Sequence, residues 1–400
     1  MQLLKMTKFS LAILNTQPPH LYFGGVERRI LEVTKRIQKD ADVTIYCGTK
    51  AGFSTPINID EISIVPCKST DRLFPLDNWT YNRSIIKNKK VYDADVFEIH
   101  NNSAYGLPDL LEKLGKKNPV IHMIHGPLAD EYEQGLRNEH QTLRMKLANK
   151  FMKYQAKQEE AMAKKATQIV AVSNYSKGKI LAHYDLDKNR IQVIPNGVDI
   201  RKFRPTDITE ARKQLNFSND PMVLFVGGLV PRKGLLKLVE VAKKVVNEQT
   251  KARFVIVGDG PLRGQLDQSL KAAGLTGNFI FLRNVEEDKL AAVYNAADVF
   301  VLPSIQEGQV IVLLEAQACG KPVVAFGVGG VNETVLQNQT GFLLEPDDIE
   351  GMANKLLELL GNNDLRQKMG AAGIKFVTEN YTWDLCAQRM LNLYKEVLSK

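Results

Sequence analysis

The chain has 400 residues, 44% hydrophobic and 24% charged, with a formal net charge of +8. That is the composition of a soluble globular protein, too long for a single core and long enough for two domains of about 200 residues each. It holds no apolar run near the roughly 20 residues with which a helix spans a bilayer, which excludes a membrane-spanning helix.

The opening, MQLLKMTKFSLAILN, lacks the small-residue cleavage site of a secretory signal and reads as a first buried strand. Five further apolar runs follow in the first half, so that FSLAIL, DVTIYC, DVFEIH, PVIHMIH, TQIVAVS and IQVIP alternate with helical patterns. In the second half MVLFVGG, RFVIVGDG, NFIFLRN, DVFVLPS and KPVVAFG do the same. Such alternation predicts an α/β chain of two doubly wound, Rossmann-like domains with parallel sheets. A turn-forming Asn-Gly and a proline in NGVDIRKFRP, Asn196 to Pro205, mark the break. The expected division is 1–203 for the first domain, 204–376 for the second and 377–400 for an amphipathic terminal helix returning to the first. Ligands of such sheets bind beyond the carboxyl ends of the strands, so two facing domains would create a cleft.

The charge is unevenly placed. Residues 1–205 carry 32 Lys and Arg against 22 Asp and Glu, a balance of +10, whereas the remainder carries 21 against 23, or −2. The first half is therefore expected to meet something anionic. Within it, Arg144 to Lys165 reads as a helix with Leu147, Phe151 and Tyr154 on one stripe and Lys146, Lys150, Lys153 and Lys157 around the other faces. It could lie on acidic lipid or simply pack on its own domain. No nucleic-acid motif or aromatic platform accompanies the basic residues, so nucleic acid is not an expected partner. Cys47, Cys67, Cys319 and Cys386 are isolated, without C-x-x-C or a histidine cluster for zinc, which fits reduced thiols in a cytoplasm. Asp93-Ala94-Asp95 has the spacing of a metal-binding D-x-D but precedes the strand VFEIH and reads as a turn cap; no metal site is expected.

Two segments carry the chemistry. In LFVGGLVPRKGLLKLVEVAKK a strand gives way to a glycine turn and then to Arg232, Lys233 and Gly234 at the mouth of a helix, where a lysine can neutralise a diphosphate. It is not a Walker loop, which needs glycine where Lys233 stands, and GVGGVN fails G-x-G-x-x-G because Asn332 takes the last position. In VFVLPSIQEGQVIVLLEAQACG, Val299 to Gly320, a strand runs into a loop carrying Glu307 and then a helix carrying Glu315 on its second turn. The helix amino terminus, expected near Gln309 and Val310, attracts phosphate, and a carboxylate a turn or two away can accept both hydroxyls of a ribose. The implied ligand is a sugar nucleotide.

An ordered series of segments extends this: GGVERRILEVTKRI, the histidine of MIHGPL, IVAVSNYSKGKI, IQVIPNGVDIRKF, GGLVPRKG, FVIVGDGPLRGQL, LAAVYNAADVFVLPSIQEGQVIVLLEAQACGKPVV, and VGGVNETV with GFLLEPDD. Over nearly its whole length the chain resembles the retaining glycosyltransferases of family 4, which have the GT-B fold. The resemblance implies transfer of a sugar, with retention, from a UDP- or GDP-sugar to a lipid-linked or glycan acceptor, without a metal or other cofactor. It implies that Glu307 lies near the donor sugar, orienting and stabilising it, that Glu315 takes the ribose hydroxyls and that Lys233 holds the diphosphate. Gly24 and Gly25 would close over the diphosphate, and His125 would hydrogen-bond the transferred sugar. The base would be held around Arg283, Asn284 and Val285; His100 and His122 are left structural.

Two positions depart from the family pattern. Gly228 stands where an arginine is expected, and Arg232 is the candidate to replace that charge. Gly308, Gln309 and Val310 replace Gly-Phe-Gly and alter the wall beside the sugar, which leaves the donor open. Two alternatives remain at this stage, a sugar-nucleotide epimerase of the same architecture and a nucleotide-sugar-binding protein that has lost transfer. The expected setting is cytoplasmic, with peripheral contact to the inner face of the cell membrane as an open option.

Overall fold

The computed structural model describes residues 8–22, 24–70, 76–136, 143–283 and 285–400. They form two compact units, one comprising the chain to Asn196 together with Trp383–Lys400, the other Gly197–Thr382. The first boundary falls inside the turn segment Asn196 to Pro205.

In the first unit the strands are β1 (Phe9–Asn15), β2 (Ala41–Gly48), β3 (Ile57–Ile59), β4 (Ile62–Cys67), β5 (Val96–His100), β6 (Val120–Ile124), β7 (Gln168–Ala171) and β8 (Ile191–Val193). They lie in the order β3-β4-β2-β1-β5-β6-β7-β8. All pairs are parallel except β3 against β4. Each of the six apolar runs of this half forms a strand, and the central ones are buried on both faces, as covered parallel sheets require. The β3–β4 hairpin is not foreseen by pattern. Its turn residues Asp60 and Glu61 take φ of 48° and 66° without a glycine, so the usual turn signature is missing.

The second unit contains β9 (Met222–Val226), β10 (Arg253–Val257), β11 (Phe279–Leu282), β12 (Val299–Leu302), β13 (Val323–Phe326) and β14 (Gly341–Leu344), in the order β11-β10-β9-β12-β13-β14 with every pair parallel. The strand order reverses between β1 and β5 in one sheet and between β9 and β12 in the other. Doubly wound sheets bind ligands at such points, beyond the carboxyl ends of the strands.

The terminal helix Trp383–Leu398 belongs to the first unit and packs on the helix Gly25–Ile37. It buries Trp383, Met390 and Tyr394 and is pinned by Arg36–Asp384 at 2.7 Å and Lys395–Asp40 at 2.9 Å.

The basic helix runs from Leu143 to Lys165, but its buried face is not the expected one. Gln155, Ala156, Glu159, Met162 and Ala163 are buried, while Tyr154 is 57% exposed and Phe151 half-buried; the side chains of Lys146 and Leu147 lie outside the described residues. Both stripes have helical spacing, and the small Ala156 and Ala163 let the backbone approach its neighbours more closely than an aromatic row would. Asp95, expected to cap a turn, instead bonds a neighbouring strand. Its carboxylate accepts from Ser10 N at 2.7 Å and Ser10 Oγ at 2.8 Å, tying β1 to the start of β5. No helix among the described residues is long and apolar enough to cross a membrane.

Candidate active site

The switch point of the second unit brings the predicted charges together. Beyond β9 the chain turns through Gly227 and Gly228 to the short 3-10 turn Pro231–Lys233, and beyond β12 it enters the loop bearing Glu307. The buried Lys233 Nζ lies 2.5 Å from Glu307 Oε1, and Arg232 Nη1 lies 3.2 Å from Glu307 Oε2. Glu307 is 6% exposed, whereas the Arg232 side chain is 52% exposed and keeps one side in water. Burial holds the Lys233 ammonium below its usual range; Glu307 opposes that shift and the Arg232 cation adds to it. A site that already strains to keep a lysine charged gains when a polyanion arrives.

Backbone bonds fix this cluster. Ile305 N donates to Arg232 O at 2.9 Å, and Gly330 N donates to the Glu307 main-chain O at 3.0 Å, so the loops after β9, β12 and β13 meet around Glu307. The glycine run GVGGVN, which fails as a dinucleotide fingerprint, thus supports the Glu307 loop instead. Gly234 is required where it stands: its φ is +67°, and a Cβ there would overlap the Pro303 carbonyl oxygen. Gly228 is not so constrained, since a Cβ would meet nothing nearer than Asp259 O at 4.0 Å.

The helix carrying Glu315 runs from Ile311 to Ala318 with Val310 as its N-cap, so its opening amides are those of Ile311 and Val312, just past the expected start. Val310 is buried and Gln309 half-buried at this mouth. Glu315 is only 1% exposed, and its Oε2 accepts the Tyr294 hydroxyl at 2.7 Å. Sequence reasoning missed Tyr294; its position in YNAADVFVLPS, one strand ahead of the glutamates, is the only signal available. Among the base-site residues Arg283 is exposed and Val285 half-buried, and Asn284 lies outside the described residues.

In the first unit Gly24 caps the helix Gly25–Ile37 and Gly25 opens it. Glu27, also unforeseen, is buried and folds its carboxylate back over Gly24, where it accepts from Asn15 Nδ2 at 3.3 Å. A carboxylate at a helix amino terminus is favourable, and it already occupies that end of the dipole. His125 follows β6 as a half-buried residue; its Nε2 lies 3.0 Å from His100 Nδ1, and His100 Nε2 lies 2.7 Å from Glu98 Oε1. His100 and Glu98 therefore adjoin a predicted site residue. His122 is structural: it bonds Asn101 O at 2.7 Å, and burial, with a smaller contribution from His100, pushes it down to about 4 against the Asn101 bond.

Sequence models of two families cover most of the chain, "Glycosyltransferase Family 4" over residues 23–202 and "Glycosyl transferases group 1" over residues 207–376. The chain belongs to the group 1, family 4 glycosyltransferases. A family relative from Mycobacterium tuberculosis, a GDP-mannose-dependent alpha-(1-6)-phosphatidylinositol monomannoside mannosyltransferase, is 33% identical over 57% of this chain and 61% of its own length. A D-inositol 3-phosphate glycosyltransferase of Salinispora tropica is 27% identical over 94% of this chain and 82% of its own. The chain thus spans about three fifths of the mycobacterial relative it matches. Among solved structures, sucrose-phosphate synthase from Thermosynechococcus elongatus superposes with a TM-score of 0.85 at 19% identity, covering 98% of this chain and 100% of that one. HepE from Anabaena in complex with UDP gives 0.78 at 19% identity over 98% and 100%. These likenesses bear out the expected GT-B fold of two Rossmann-like domains.

Proposed function

We propose that the protein is a retaining glycosyltransferase that moves a sugar from a UDP- or GDP-sugar to a lipid-linked or glycan acceptor. The observation that carries this reading is the meeting of Lys233, Arg232 and Glu307 at the switch point between β9 and β12, beside the helix that bears Glu315. Departure of a nucleoside diphosphate needs its growing charge stabilised. A fixed lysine and helix amides supply that, and one such preorganised donor is worth about 10²- to 10³-fold in rate. No step in this scheme needs a metal. Lys233 holds the diphosphate, Arg232 replaces the cation missing at Gly228, Glu315 takes the ribose, and Gln309 and Val310 shape the wall beside the sugar. Gly24 and Gly25 contribute backbone amides, and His125 bonds a sugar hydroxyl. Attack occurs on the face the diphosphate leaves, so the departing phosphate can take the acceptor's proton while Glu307 orients the sugar.

The basic first unit would face an anionic acceptor at a membrane surface. Support comes from an apolar cavity of about 210 Å³ lined by Leu76, Trp79, Tyr105, Phe151 and Tyr154, on whose rim Trp79 is 48% exposed and from which Lys150, Lys153 and Lys157 are close in sequence. The setting proposed is the cytoplasm, at the inner membrane face.

The test of the reaction is turnover of a panel of UDP- and GDP-sugars by wild type and Glu307→Gln, with the product's anomeric configuration read by NMR. The reading expects a retained product and lost turnover with near-normal nucleotide binding in the variant. Unchanged turnover would remove Glu307 from the chemistry, and an inverted product would exclude retention.

A further inference from the structure

A buried chain of polar groups runs behind His125 at the switch point of the first unit. Glu98 and His100 sit two residues apart on β5 and share a face, and in the β5–β6 register His100 pairs with Met123, which puts His125 just past the end of the neighbouring strand. His100 Nε2 is 2.7 Å from Glu98 Oε1, His100 Nδ1 is 3.0 Å from His125 Nε2, and the two rings stack with centroids 5.3 Å apart. The other carboxylate oxygen, Oε2, accepts the hydroxyl of Tyr394 from the terminal helix.

We propose that Glu98 and His100 are positioning residues that hold His125 in its Nε2–H tautomer, so that His125 Nδ1 is presented as an acceptor to a hydroxyl of the sugar substrate. This rests on the glycosyltransferase reading for the substrate's class, but the tautomer itself does not. The reasoning follows the protons. Burial opposes ionisation of Glu98, but the His100 and Tyr394 hydrogen bonds and the Arg29 cation outweigh it and hold the carboxyl below its usual range. An ionised carboxylate only accepts, so His100 Nε2 must carry the proton. With a single proton on the His100 ring, held at Nε2 by Glu98, Nδ1 offers a lone pair, and the 3.0 Å contact then places the proton on His125 Nε2. Burial opposes a charge on His125, and a neutral ring with its proton on Nε2 leaves Nδ1 as an acceptor. No described residue bonds that nitrogen, whereas the backbone N–H of His125 is fixed by Asn101 Oδ1 at 3.2 Å.

The groups that face this chain are few. Arg29 comes from the helix Gly25–Ile37 and is committed through Nη1 to Ile194 O and Asn196 Oδ1 at 2.9 and 3.0 Å; His122 comes from β6, and Tyr394 and Cys386 from the terminal helix. Burying a carboxylate costs several kcal/mol that apolar packing would not, so its retention beneath His125 calls for a role beyond stability. An outer carboxylate that orients a working histidine is such a role.

The closing experiment is ring ¹⁵N NMR of the full chain labelled at its 6 histidines. Wild type is expected to show His125 protonated at Nε2 and bare at Nδ1; a proton on Nδ1 overturns the proposal without recourse to any variant. Glu98→Gln, which keeps the volume and removes the charge, is expected to mix the His125 tautomers. Tyr394→Phe, which keeps the charge, is expected to leave them unchanged. An unaltered tautomer in Glu98→Gln overturns the relay. In turnover assays Glu98→Gln should lower kcat by about 10- to 10²-fold, the size seen when outer-shell partners of metal-ligating histidines are removed, with the nucleotide Kd unchanged. Equal losses in both, or none in kcat, would overturn it. If wild type transferred no sugar from any donor the functional reading would fail, and the tautomer would still decide the relay.

Discussion

Gly234→Ala offers a test in which one methyl group should disturb the whole anion site. Gly234 has φ +67° and ψ 21°, a conformation that costs a residue with a side chain about 1–2 kcal/mol. The new Cβ would also overlap the Pro303 carbonyl oxygen and lie 2.8 Å from its carbon, where backbone rather than a flexible tip must move. Overpacking of that kind adds about 1–3 kcal/mol, so the total is roughly 2–5 kcal/mol. In a domain the size of Gly197–Thr382 each kcal/mol shifts the midpoint by roughly 2–4 °C. The displaced Pro303 leads to Glu307 and the residue before Gly234 is Lys233, so the loops should part across the Ile305–Arg232 bond of 2.9 Å and the Lys233–Glu307 contact of 2.5 Å. Thermal unfolding and calorimetric titration with UDP and GDP read both effects. Gly264→Ala is the control: a Cβ there meets nothing within 4 Å, and in a helix the change should be neutral or stabilise by about 0.5–1 kcal/mol. A Gly234→Ala protein with the midpoint and nucleotide affinity of the control would refute the reasoning.

Gly228→Arg has room for its Cβ and should restore a phosphate cation, tightening UDP or GDP binding by about two- to tenfold, or up to about 1.4 kcal/mol; weaker or unchanged binding in a folded variant would remove Gly228 from the diphosphate's surroundings. Tyr294→Phe takes a donor from the buried Glu315 carboxylate, a bond to a charged group worth about 1.5–3 kcal/mol, and should weaken nucleotide binding severalfold while the fold persists; unaltered affinity would show that Glu315 needs no such support. Burial pushes the Glu159 carboxyl from 4.5 up to about 7 against hydrogen bonds from Tyr184 and the Leu128 amide. Between those values the folded state holds a proton that the unfolded chain has released. This group's contribution is therefore full below 4.5 and lost as pH rises through 7. Urea unfolding at about pH 5 and about pH 8 should show Glu159→Gln removing roughly 3 kcal/mol of that pH dependence, and an identical profile in wild type and variant would contradict the assignment.

The parallel strands are legible because each is a short apolar run, as strands buried on both faces must be. The β3–β4 hairpin is not, since Asp60 and Glu61 adopt positive φ where pattern reading looks for glycine. β14 hides because Gly341 stands at its start and Leu343 and Leu344 are only partly buried, so the run is too short to stand out. The convergence of Lys233, Arg232 and Glu307 is legible because each follows a strand within a loop that the switch point gathers. The contacts of Glu27, Tyr294, Glu98 and His100 are not legible in the same way. A histidine inside an apolar strand looks like core until the parallel register sets it against a histidine 25 residues on. The buried face of the basic helix was misplaced because spacing alone does not say which of two stripes meets the sheet.

A crystal structure with UDP or GDP bound tests the account most directly. The prediction is a diphosphate within hydrogen-bond distance of Lys233 Nζ and of the amides that open the helix Ile311–Ala318, with the ribose on Glu315. A nucleotide bound elsewhere, or Lys233 still held by Glu307 without touching phosphate, would contradict it.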